Sequence, residues 1–223
     1  TPRVAYHETI RGTADVRYRH KKQSGGAGQF AEVAIRLRPN ERDKGYEFVD
    51  KIVGGVISNS FIPSVDKGIR ARMANGVMAG CPVVDVIVEL YDGKEHPVDS
   101  KDIAFQIAGR QAFAQAMEKA TPILLEPIMD VEVVCPQEYM GDINGIINGK
   151  RGHITGMDTR GSLQVIKAQV PHAEMFKFCG ELRSITGGRG SFSMTPAHYA
   201  EVPGNIAQHI VDAYRKSRTD EEE

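Results

Sequence analysis

The chain has 223 residues, 41% of them hydrophobic, which suits one or two packed globular domains. Its apolar runs fall far short of the roughly 20 residues a membrane helix needs, so no spanning segment is expected. With 28 Lys/Arg against 29 Asp/Glu the net charge is −1, which excludes a globally basic nucleic-acid binder. Residues 1–122 carry a net +3 and residues 123–223 a net −4, the latter supplied by the run Asp220 to Glu223. Binding to a polyanion must therefore rest on a local patch. Three widely spaced cysteines, Cys81, Cys135 and Cys179, form no C-x-x-C pair and read as free thiols of a reducing, cytoplasmic setting. No cationic-then-apolar leader opens the chain, which begins at Thr1 rather than at a methionine and so reads as a processed or excised piece of something longer.

A short strand is expected over Val4–Ile10. From Val16 to about Leu37 the pattern is a hairpin. Its first strand carries Arg17, Arg19, Lys21 and Lys22, a turn holds Gly25, Gly26 and Gly28, and its second strand sets Ala31, Val33 and Ile35 on one face. Between Val16 and Ala31 there are four Lys/Arg and no carboxylate. Such a hairpin is either a probe for something anionic or a plain solvated element with charged outer faces. Turn residues follow at Pro39-Asn40 and Asp43–Gly45, then a strand over Tyr46–Ile52 and the pair Gly54-Gly55. A helix over Pro63–Asn75 has Val65, Ile69 and Met73 on one face, proline in its first turn and Gly76 at its stop. Val83–Tyr91 alternates as a strand, and the loop Asp92–Val98 leads to a second helix. For that helix Asp99 is the expected N-cap, with Asp102 in the first turn. Ile103, Ile107, Gln111 and Ala114 share one face, Ala104, Ala108, Ala112 and Ala116 another, and the helix should end near Lys119.

The proline-bounded stretch Thr121–Pro127 predicts a connector, and the domain boundary is placed there, between residues 1–122 and 123–223. Beyond it come a strand over Ile128–Val134, a helix over Gln137–Asn148, and strands over Ile154–Met157 and Leu163–Val170 around a turn at Asp158–Gly161. A helix over Glu174–Ile185, a strand over Gly190–Thr195 and a helix over Asn205–Arg215 complete the series, and the Glu-rich tail reads as disordered. The order βαββαβ is that of a ferredoxin-like sandwich, so the fold class is α+β.

Several motifs fail on inspection. Gly26–Ala31 fits G-x-G-x-x-A, but a dinucleotide site needs a helix directly after it, and a strand pattern follows. A kinase loop would need a lysine where Arg36 stands and downstream D-F-G and H-R-D segments, which are missing. Gly145–Arg151 is one residue short of a triphosphate P-loop and lacks its Ser/Thr. The seven histidines, His7, His20, His96, His153, His172, His198 and His209, have no metal spacing and assemble no triad, so no catalytic residue and no metal or cofactor site is expected. His96 stands out only for its place in a loop between strand and helix, where scaffolds present contact residues; a surface histidine without a role is the plainer alternative. Arg189, among Gly187, Gly188 and Gly190, either meets a phosphate or stands in a simple turn.

Several segments together resemble one family: Lys22–Gln29 (Lys-Gln-Ser-Gly-Gly-Ala-Gly-Gln), Gly45–Phe48, Gly54–Ile57, Ile62–Gly68, Val98–Ser100, Pro122–Met129 and Leu182–Ser184. In that order and spacing they are similar to the C-terminal two domains of bacterial translation elongation factor G, over nearly the whole chain. The resemblance implies an elongated domain with the fold of the second domain of ribosomal protein S5, followed by a ferredoxin-like domain. It implies that GTP and Mg belong to an N-terminal domain absent from this chain, which would then be no enzyme itself. It also implies a tip, Ser24, Gly25, Gly26, Ala27, Gly28 and Gln29 with His96 of the second loop, that enters the small-subunit decoding region beside tRNA and mRNA. Arg17, Arg19, Lys21 and Lys22 would support it by binding phosphates. The second domain would meet large-subunit rRNA and proteins of the factor-binding site, in a cytoplasmic monomer that touches no membrane. Two departures stand against the family pattern: Ala27 replaces the usual tip arginine, and Pro97 replaces a residue that is not proline in many members. They leave open a paralogue of ribosome recycling or ribosomal protection. An enzyme that binds a phosphorylated small molecule at the glycine turn is the alternative from another class.

Overall fold

A computed structural model describes residues 3–23 and 25–222. The chain forms two compact units. One comprises His7–Leu124 with the C-terminal segment from Pro203. The other comprises Leu125–Val202 with the N-terminal residues up to Tyr6.

The first unit holds β1 (His7–Ile10), β2 (Ala14–Lys22), β3 (Gln29–Pro39), β4 (Glu47–Asp50), α1 (Ile62–Asn75), β5 (Val86–Lys94) and α2 (Asp102–Lys119). Its sheet has the order β2-β3-β5-β4, antiparallel except for the parallel β4–β5 pair that α1 connects. Alternation in β2 and β3 turns Val16, Ala31, Val33, Ile35 and Leu37 into a core that α1 and α2 complete. The helices cross closely: a Cβ on Gly68 would lie 2.0 Å from the Gln106 carbonyl oxygen, and one on Gly109 2.6 Å from that of Val65. Glycine is what this crossing requires, and Phe61 then stacks on Phe105 at 4.8 Å.

The sequence pattern and the fold differ at several points here. The alternation over Val83–Tyr91 is interrupted at Asp85, whose φ is 57°, so β5 begins at Val86 and runs on to Lys94. Asp99 does not cap α2. The helix starts three residues later, after Lys101, with Asp102 in its first turn. The buried face of α2 is the alanine face, joined by Phe105, Phe113 and Met117, and Ile103 is 46% exposed. Along that face Gly109 is the point at which α1 comes closest. Strand β1 is shorter than Val4–Ile10, and Glu8 within it is fully buried. Its carboxylate accepts four backbone N–H bonds, from Val77 and Met78 to Oε1 and from Ala79 and Cys81 to Oε2. That clamp fixes the loop after α1. Burial, reinforced by the Glu8 charge, pushes the Cys81 thiol up to about 11.

The second unit is built on β6 (Pro122–Pro136), α3 (Met140–Gly149), β7 (His153–Arg160), β8 (Leu163–Pro171), α4 (Phe178–Thr186) and β9 (Ser191–Glu201). Its sheet order, β9-β6-β8-β7, all antiparallel, with α3 and α4 as the connecting helices, is the ferredoxin-like arrangement. Val131, Val133, Ile143, Ile147, Ile166, Phe178 and Leu182 form its core. Thr121–Pro127 is no free connector: from Pro122 onward it is already strand β6. The β7–β8 turn is confined to Gly161 and Ser162, tighter than the expected Asp158–Gly161. Buried Glu126 is held by a bidentate bond from Arg151, at 2.9 and 3.1 Å, and Arg151 also reaches Glu174. The last helix, α5 (Gly204–Glu222), extends into the acidic run expected to be disordered, of which Glu223 lies outside the described residues, and it groups with the first unit rather than with the second.

Candidate nucleic-acid interface

The β2–β3 hairpin is in register from Ala14↔Leu37 to Lys22↔Gln29. On its outward face Arg17, Arg19 and Lys21 alternate along β2, as period two demands. Across the strand Arg19 faces Glu32, but Lys21 faces Phe30 and Lys22 faces Gln29. Glu32, nearly buried, accepts from Arg17 Nη1 at 3.0 Å and from Arg19 Nε at 2.9 Å. Arg17 also pairs with Asp92 of β5. That bond raises the guanidinium pKa further and holds the Asp92 carboxyl below its ordinary value. Arg19 lies over the Phe30 ring at 5.6 Å. Arg17 and Arg19 are thus paired within the protein, with carboxylates that lie outside the stretch from Val16 to Ala31. Lys21 and Lys22 are exposed and have no ion-pair partner among the described residues.

Of the tip residues, Ser24 lies outside the described residues. Gly25, Gly26 and Ala27 are exposed, with φ of 69° at Gly25 and 154° at Gly26, a conformation that favours glycine. Gly28 lies close against the second loop. A Cβ there would stand 2.8 Å from the Asp99 carboxylate. Gln29 is engaged along the hairpin, its Oε1 2.9 Å from His20 Nε2.

His96 sits in the loop between β5 and α2, and the fold joins that loop to the glycine turn. The Phe30 amide donates to the Asp99 carbonyl at 2.9 Å. The Ser100 hydroxyl donates to the Phe30 carbonyl at 2.8 Å and accepts from the His96 amide at 2.9 Å. The His96 ring lies tilted against Phe30, with centroids 6.2 Å apart. One end of the unit therefore brings Gly25–Gln29, His96 and the two lysines together. Phe30, Asp99 and Ser100, which hold this end in place, are missed by sequence reasoning as site residues; the adjacency of Asp99-Ser100 to His96 was the available signal. Beside His96 a hollow is lined by Ser58, Ser60, Phe61, Glu95, Pro97 and Ser100, with the Ser58 hydroxyl donating to Glu95 at 2.6 Å.

The other motifs find plain roles. A strand, not a helix, follows the glycine turn, and Gly145–Gly149 is the last part of α3. Arg189 is paired with Glu138 at 2.9 Å and stacked on Tyr139. No group of His, Cys, Asp and Glu among the described residues could hold a metal ion. No helix among them is long and apolar enough to cross a membrane.

An S5-like sheet with paired loops at one end and a ferredoxin-like unit are the two folds that the resemblance to the C-terminal domains of a translation elongation factor implies. Comparison with known proteins agrees: the family described as "Elongation factor G, domain IV" matches residues 2–121, and "Elongation factor G C-terminus" matches residues 123–210. The chain belongs to the elongation factor G family. It is 54% identical over 210 residues to elongation factor G of Aquifex pyrophilus, covering 94% of this chain and 30% of that protein. A crystal structure from Thermus thermophilus matches with a TM-score of 0.85 at 41% identity, over 96% of this chain and 32% of that one. The chain thus spans about a third of the length of these relatives, 30% of one and 32% of the other.

Proposed function

We propose that the chain is the ribosome-binding part of a translational GTPase, and that its paired loops enter the decoding region to move tRNA and mRNA together. The observation that carries this reading is the single surface made by Gly25–Gln29, His96, Lys21 and Lys22, rigidly joined through Ser100 and Asp99. RNA is polyanionic and is read largely by shape, backbone and hydrogen bonding, which two free ammonium groups, glycine amides and an imidazole supply. These residues do no covalent chemistry; they exclude, position and hold. GTP and its Mg belong in this reading to N-terminal domains acting with this chain, a monomer in the cytoplasm. The second unit meets large-subunit rRNA and proteins of the factor-binding site.

The test is kinetic. In the complete factor, His96→Ala and Gln29→Ala should each slow translocation more than GTP hydrolysis. Photo-crosslinks from position 26 should reach tRNA or small-subunit rRNA. Unchanged translocation in both variants together with no crosslink would sink the reading. Ala27 and Pro97, which depart from the family pattern, favour a second reading as a recycling or ribosomal-protection paralogue. Assaying the complete factor for subunit splitting against translocation separates the two. The enzyme alternative predicts tight nucleotide binding by this chain in calorimetry; absence of heat removes it.

A further inference from the structure

The imidazole of His96 has two nitrogens, and the fold uses only one of them. Nδ1 accepts from the Val98 amide at 3.1 Å and from the Asp99 amide at 3.0 Å. An amide N–H can only donate, so a nitrogen that receives two of them carries no proton of its own. The one competing contact, Asp99 Oδ2 at 3.7 Å from Nδ1, is beyond hydrogen-bonding distance, and both amides are nearer. The neutral ring must then carry its proton on Nε2, which has no hydrogen-bond partner among the described residues. The side chain is 47% exposed. Its ring is steadied by Phe30 on one side, and its backbone amide is tied to Ser100.

Resting on the proposed role of the tip, we infer that His96 acts as a fixed hydrogen-bond donor. The loop Glu95–Ser100 sets its tautomer so that Nε2–H is presented to an acceptor of the RNA, a 2′-hydroxyl oxygen, a phosphate oxygen or a base acceptor. The turn closed by Nδ1 is the positioning device, and the opposite nitrogen is the contact. A nitrogen locked this way rejects a donor at the same place, which gives the tip a preference in polarity as well as in shape.

Two substitutions separate the halves of the ring. In His96→Asn the amide oxygen stands near the position of Nδ1 and can accept from Val98 and Asp99, but nothing reaches out to Nε2. In His96→Gln the amide nitrogen reaches the Nε2 position, while the acceptor for the two amides is lost. Nitrogen-15 spectra of the imidazole in this chain should show Nδ1 as the bare nitrogen and Nε2 as the protonated one. His96→Asn should keep the Val98 and Asp99 amides protected from exchange yet slow translocation by the complete factor about tenfold, as expected for one lost hydrogen bond to RNA. His96→Gln should lose that protection and retain more translocation than His96→Asn. The reverse tautomer, or an even mixture, overturns the inference. So does wild-type translocation by His96→Asn while crosslinks from position 26 persist, an outcome that leaves the proposed function standing. Absence of those crosslinks in the unsubstituted factor, together with unchanged translocation in His96→Ala and Gln29→Ala, instead removes the proposed function itself.

Discussion

The two ends of one hairpin are built on opposite rules. At its root, arginines are matched: Glu32 receives both Arg17 and Arg19, and Asp92 receives Arg17 a second time. Four residues further along β2, cations of similar exposure face Phe30 and Gln29 and have no carboxylate opposite. The root spends its charge on holding β2, β3 and β5 in register. The tip leaves its charge open to solvent. The placing of carboxylates makes this difference: Glu32 lies opposite Arg19 and within reach of Arg17, Asp92 on β5 reaches Arg17, and Lys21 faces Phe30. A cation count along the sequence therefore overstates the unpaired charge of the hairpin, and position decides which of the four cations are paired.

The rule of the root is strongest where burial is complete, so the largest effect is expected at Glu8. Glu8→Gln keeps the shape but sets an NH2 group against N–H donors, and losing two of four bonds in a fully buried site should cost about 3 kcal/mol. Denaturant melts read the loss, and alkylation of Cys81, slow in the parent because burial raises its thiol, should quicken. The tip should answer in the opposite way. The double change Lys21→Ala and Lys22→Ala should leave stability within about 0.5 kcal/mol, as for surface sites. Ribosome affinity at low salt should fall about tenfold, and the slope of log affinity on log salt should drop by about 2. Equal losses for Arg17→Ala in that salt slope would erase the distinction between root and tip.

Glu32→Ala tests the boundary between the two rules. It frees Arg19 and leaves Arg17 held by Asp92 alone; both guanidiniums are about half exposed, 54% and 48%, so solvent screens most of the loss and stability should fall by about 1 kcal/mol. Ribosome affinity should rise, because matched charge becomes available. The Arg17–Asp92 pair adds a pH signature of the root. Since the Asp92 carboxyl is held below its ordinary value, its contribution is present above the usual carboxylate range and is lost as pH falls through the lowered value. Asp92→Asn should flatten that part of the acid melting profile.

Much of the fold is legible in the sequence because its signals are local. Alternation in Val16–Leu37, glycines at the turn, and the strand–helix order beyond Pro122 all reappear as elements in the structure. What escapes is whatever depends on register between distant residues. Glu32 stands one residue past the stretch without carboxylates, and Asp92 is 75 residues from the arginine it holds. Asp99 has the chemistry of a helix cap, yet the chain uses its backbone carbonyl to hold Phe30 and its side chain to cover Gly28. On α2 the buried face mixes alanines with Phe105, Phe113 and Met117, and the close crossing at Gly68 and Gly109, which the sequence of α2 alone does not show, leaves Ile103 outside it. For the candidate site, the sequence points to the glycine turn and His96 and misses Phe30, Asp99 and Ser100, whose hydrogen bonds join the two loops.

The smallest effect is expected at Ala27, and it bears most directly on how the tip is supplied with charge. Gly25 and Gly26 beside it adopt positive φ in open space, so the turn presents residue 27 outward without packing constraints. Ala27→Arg should therefore fold normally, with no change in melting beyond a few tenths of a kcal/mol. One added guanidinium should raise the salt slope by about 1 and the affinity about threefold, less than Lys21 and Lys22 together contribute. If Ala27→Arg instead raises affinity more than the double lysine change lowers it, the phosphate contacts lie at the turn itself. The two lysines would then be bystanders like the arginines behind them. A gain smaller than the lysine loss places the phosphate grip one step back from the turn, at the last two residues of β2, where register leaves them unmatched.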